Sequence, residues 1–87
     1  MSGQINLREV FISRVRNELY GQLMHGPLKG WEPQIVISFV DEAIEVGMPV
    51  INSYLSEKNV TLMNMNEHIK FIIDSILLPY LNQKRVQ

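Results

Sequence analysis

Cysteine is absent from this chain. Disulfides and thiolate-held metal sites are therefore excluded, and a small domain loses two of the staples that commonly supplement a modest core. Long apolar runs are missing too. Asp41, Asp74 and Pro79 interrupt the greasiest stretches, well short of the roughly 20 residues that a membrane-spanning helix needs. The first residues hold no basic segment followed by an apolar run, so no secretory leader is expected and the protein reads as cytosolic. Asn59-Val60-Thr61 matches a glycan acceptor, but in that setting the plainer reading is a polar turn between helices. Cations are scarce as well. Eight Lys and Arg stand against nine Asp and Glu, which gives little of the counter-ion release that drives nucleic-acid binding.

The 87 residues are enough for one domain, expected to span residues 1–87. A domain of this size removes only about 60% of its unfolded surface from water. Dense helix packing and oligomerisation are the reinforcements left to it. The apolar fraction of 46% is ordinary for a globular protein, so composition alone does not call for a partner.

Pattern does. Between Pro33 and Gly47 the only polar side chains are Gln34, Ser38, Asp41, Glu42 and Glu45. Wound as a helix at about 100° per residue, they form one stripe, and apolar residues such as Val36 and Val40 occupy most of the remaining circumference. The run from Gln34 to Val40 has strand-like composition, yet the continuous polar stripe assigns it to a helix. Such a helix needs cover on three sides, which places it at the centre of a bundle, at a subunit interface, or both.

The other elements also read as helical, giving an all-α, four-helix domain with helices near 7–24, 33–46, 49–58 and 65–78 and a polar tail at 82–87. Asn6 and Glu9 carry the spacing of a capping box, and Ile5 can staple onto Val10. Phe11, Ile12, Val15, Leu19 and Leu23 mark the inward face of the first helix, and Gly26-Pro27 a stop. Gly47-Met48-Pro49 is expected to end or sharply kink the second helix. Asn64 and Glu67 repeat the capping spacing before a last helix whose main face is Met65, Ile69, Ile72, Ile73, Ile76 and Tyr80. Phe71 and Leu78 lie on nearly the opposite side and suggest further cover. Pro79 ends or kinks this helix.

Charge is segregated along the chain. Residues 1–31 sum to +2, residues 32–57 hold five acids and no base, and residues 58–87 return to +2. The plain explanation is attraction between the basic first helix and the acidic second one; the sharper one is an acidic surface for a basic partner.

Catalytic chemistry has little to stand on. The serines carry no nucleophile motif, and the glycines at 26 and 30 lack the spacing of a phosphate cradle. His25 and His68 fall in different elements with no metal-ligand spacing. Asp41 and Glu45, one turn apart, could form an acid pair if buried, but the polar stripe argues that they are solvated. No cofactor, metal or small-molecule substrate is expected.

The reading that follows is a non-enzymatic protein–protein interaction module: a small regulator, inhibitor, adaptor or accessory subunit, docking on a protein partner or forming a homodimer. Its contact residues would be Val36, Val40, Asp41, Glu42, Glu45, Phe71, Leu78 and Trp31, with the acids setting orientation. For Trp31 the plainer reading is a lid over the core. The rival reading is a DNA-binding regulator of helix-turn-helix type, turning at Gly47-Met48-Pro49. Asn52 would then read a base while Arg8, Arg14 and Arg16 touch phosphates. Nucleic acid is nonetheless the less favoured partner.

Overall fold

The computed structural model describes residues 6–86. All regular structure among them is helical, and it forms three helices. The first is α1 (Leu7–Met24) and the second α2 (Pro33–Glu57). The third begins as α3 (Met65–Ile72), passes through a π-helical turn (Ile73–Leu77) and resumes as α4 (Leu78–Val86). None of the three is long and apolar enough to cross a membrane.

Helix α1 starts as its sequence requires. The Asn6 carboxamide oxygen accepts from the Glu9 backbone N–H at 3.2 Å, satisfying one of the four donors that a helix start leaves orphaned. The Ile5 half of the expected staple lies outside the described residues. Phe11, Val15, Leu19 and Leu23 are buried, at the 4-residue steps that align one face of a helix. Ile12 is only half-buried at its margin. The chain then turns through residues 25–32. Leu28 tucks into the core, Trp31 N–H bonds the Leu28 carbonyl, and Gly30 between them has φ +88°. That left-handed conformation at the third turn position is one that only glycine adopts cheaply.

The second helix departs from expectation. It does not stop at residue 46 but runs unbroken to Glu57, so the expected separate helix at 49–58 is its second half. Glycine and proline usually punctuate helices, and here both are accommodated. Gly47 is buried against the third helix, where an added Cβ would lie 3.1 Å from Leu77 Cδ2 and 3.6 Å from Ile76 Cγ2. The missing side chain admits the neighbouring helix. Pro49 removes the N–H that would bond the Glu45 carbonyl, but both residues are exposed, so the lost bond does not leave a polar group sealed in the core.

The third helix also outruns its expected end at Leu78, and residues 82–86 are helical rather than a loose tail. Its buried residues include Ile69, Ile73, Leu77 and Leu81. Steps of four residues overrun an α-helix by about 40° each, so with Ile72 also buried the arc from Ile72 to Leu81 would widen to roughly 180°. The π turn absorbs the excess. Leu78 N–H bonds the Ile73 carbonyl five residues back, which rewinds the helix and returns Leu77 and Leu81 to the core. The wider turn also comes just before Pro79, whose ring would crowd a carbonyl in an ordinary turn. Helix α3 begins at Met65 as its spacing suggests, but Asn64 does not cap it. The Asn64 side chain turns back instead, accepting from Thr61 N–H at 2.7 Å and donating to the Asn59 carbonyl at 3.0 Å. Residues 59–61 thus sit in a polar connection, with Val60 turned inward.

Candidate protein interface

The inward face of α2 is formed by Val36, Val40, Ala43, Ile44, Gly47 and Ile51. Subtracting these from the apolar circumference leaves side chains that the other described residues cover only in part. Ile35, Val46 and Val50 are 42%, 53% and 49% exposed. They follow one another, with half-buried Phe39, at steps of four, seven and four residues that hold them within roughly 60° around the helix. Both ends of this strip are extended by aromatic rings. Trp31, 45% exposed, leans on Phe39 with ring centroids 5.9 Å apart at 57°. At the other end Tyr54 stacks on Phe71, centroids 5.5 Å apart at 21°, and Phe71 is 50% exposed. The Tyr54 hydroxyl shares a hydrogen bond with His68 Nδ1, which fixes the stack and gives this histidine a structural partner. Burial pushes the Tyr54 phenol upward from its ordinary pKa.

Glu42 stands in the middle of the strip and is not a free charge. Its carboxylate accepts from the Tyr80 hydroxyl at 2.8 Å and pairs with the Lys84 ammonium. The Lys84 hydrogen bond, followed by that of Tyr80, holds the Glu42 carboxyl below its usual value. The bond to Glu42 raises both Lys84 and Tyr80. A depressed carboxylate contributes stability above the unfolded carboxylate pKa of about 4.3, lost as pH falls through the folded value. A raised lysine contributes below its unfolded value of about 10.4, lost as pH rises through the folded one. The clasp therefore spans the neutral range. Glu42→Gln is expected to flatten the acid limb of a stability–pH curve measured by denaturant midpoint; an unchanged limb would mean that the clasp contributes nothing there.

The other expected contact residues fall into three groups. Val36 and Val40 are core residues, turned inward with the rest of the buried face, so they cannot meet a partner while the subunit is folded. The polar stripe located the solvent side of α2, but only its neighbours decide which part of the broad apolar remainder they cover. Ile35, Val46 and Val50 were accordingly missed, although their mutual spacing was readable. Asp41 is exposed but accepts from Arg16 Nε at 3.0 Å, and with Glu42 it binds the acidic middle of the chain to basic residues of both flanking helices. Surface pairs of this kind contribute little to stability, because water and salt screen them. Glu45 is exposed and enters no ion pair among the described residues. Leu78 is half-buried and Phe71 lies on the strip.

The helix-turn-helix reading loses its geometry, because α2 passes straight through Gly47-Met48-Pro49. Arg8 Nε donates to Asn52 Oδ1 at 2.8 Å, joining α1 to the second half of α2 rather than leaving Asn52 free to read a base. Arg16 is held by Asp41. Arg14 lies with Lys70 in an open polar cleft of about 410 Å³ between α1 and α3.

These features define an all-helical protein with an exposed apolar strip on its central helix. Compared with known protein families, curated proteins and solved structures, the chain matches none.

Proposed function

We propose that the protein is a non-enzymatic interaction module that works as a small regulator, inhibitor, adaptor or accessory subunit by docking through the outer face of α2. One observation carries this reading: Trp31, Ile35, Val46, Val50 and Phe71, each about half exposed, line one continuous face. Single exposed apolar residues are normal, whereas a contiguous patch of a few hundred Å² is often a functional surface. Aromatic rings at its two ends supply the rigid anchors on which interfaces concentrate their energy. Glu45 and the half-exposed acids of the stripe provide a polar edge that orients a partner. A cysteine-free chain suits a reducing compartment, and the cytosol is the setting this reading implies.

Capture from the native host tests it. Wild-type protein is expected to retain a partner that the Val46→Glu/Val50→Glu double variant loses, while the variant keeps its helical circular dichroism because both positions face solvent. Equal capture by the two proteins would remove this face from the proposal.

A further inference from the structure

Resting on that reading of the α2 face, we infer that its occupant is a second copy of this chain, packed antiparallel about a two-fold axis between Glu42 and Ala43. Inverting the strip about that point maps it onto itself. Position 35 falls opposite 50, position 39 opposite 46, and position 31 opposite 54. The bulkier Ile35 and Phe39 thereby meet the slimmer Val50 and Val46. In the parallel arrangement each residue would face its own copy. Phe39 would then abut Phe39 while Val46 and Val50 met only valines. Close packing at a constant helix separation requires large opposite small. Antiparallel inversion provides that at the 35–50 and 39–46 pairs. It also brings Trp31 onto the partner's Tyr54 and Phe71 rings at each end, an aromatic cluster produced twice by symmetry.

Area agrees. With large side chains offering roughly 150–250 Å² each, the exposed fractions of Trp31, Ile35, Val46, Val50 and Phe71 leave roughly 400 Å² of apolar surface per subunit. A standard interface buries about 800 Å² per partner, somewhat more than half of it apolar. One strip against its copy thus falls near the requirement of a specific dimer. Electrostatics agrees as well. The charge nearest the axis, Glu42, is already matched by Lys84 and hydrogen-bonded by Tyr80 within its own subunit. The two subunits therefore bring neutral pairs, not two bare carboxylates, to the centre.

The absence of cysteine makes the geometry directly testable. Ile35→Cys and Val50→Cys each introduce a single thiol at an exposed position. The two proteins, one carrying a mass tag, are mixed and oxidised. The mixed 35–50 disulfide is expected to form at least tenfold faster than either the 35–35 or the 50–50 disulfide. Light scattering after size exclusion should give about twice the 10.1 kDa chain mass for the unmodified protein, falling to the single-chain mass in Val46→Glu/Val50→Glu with helicity retained. Faster like-with-like disulfides would overturn the antiparallel pairing. A single-chain mass at every concentration, or a dimer that survives the double glutamate variant, would overturn self-association through this face. A monomer that still captures a host protein, and loses it in the double variant, would end the inference while leaving the interaction reading intact.

Discussion

Deletion of Ser75 is expected to leave the protein folded, although this exposed residue sits inside the third helix. Removing one residue from a helix rotates everything beyond it by about 100°, and core side chains turned outward cost about 1.5–3 kcal/mol each. Ser75 lies in the π turn, which already contains one residue more than an α-helical turn needs. Without it, the bond from Leu78 N–H to the Ile73 carbonyl closes over four residues instead of five, and Leu77 and Leu81 stay inward. The added cost is Pro79 in a narrowed helix, about 3 kcal/mol. Circular dichroism and denaturant titration distinguish the outcomes. Loss of the cooperative transition in the Ser75 deletion would show that the π turn is not the slack segment.

Gly47→Leu is expected to lower stability by about 3 kcal/mol, near the upper end of overpacking costs. Gly47→Ala should fall within about 1 kcal/mol of wild type. A Cβ at residue 47 meets only the flexible end of Leu77 at 3.1 Å, and the gain in helix propensity on replacing glycine offsets that crowding. Three further carbons have nowhere to go, because Ile76 closes the other side at 3.6 Å. They would have to push α2 away from the third helix. Denaturant midpoints of the two variants provide the check, and a fully stable leucine variant would mean that the two helices do not meet closely at Gly47.

These two sites also show where sequence stops being readable. Helix α1 was legible because its signals are local: a cap whose partner is three residues away, a face repeating every fourth residue, and a Gly-Pro stop. The Gly47-Met48-Pro49 segment carries the same kind of local signal and misleads, because what Gly47 accommodates is Leu77, 30 positions further along the chain. Proline at 49 then survives simply by facing water. The π turn was hidden for a related reason. At a fixed 100° per residue, Leu77 and Leu81 drift off the core face, and only the demand that both be buried reveals the extra residue. For the interface, the polar stripe correctly identified an apolar surplus on α2. Choosing Val36 and Val40 as its outward members failed, because two neighbouring helices settle which apolar residues are left uncovered. Asp41 and Glu42, expected as orienting contact residues, anchor side chains of both neighbours, and the Arg16 pair is the attraction between the first two helices that the charge segregation offers as the plainer explanation.

Trp31 is the chain's sole tryptophan, and it stands half exposed where the strip begins, against the ring of Phe39. The molecule thus contains its own fluorophore at the rim of the surface in question. Occupation of that surface would dry the indole and shift its emission to the blue, so association can be followed on unlabelled protein at concentrations far below those scattering requires.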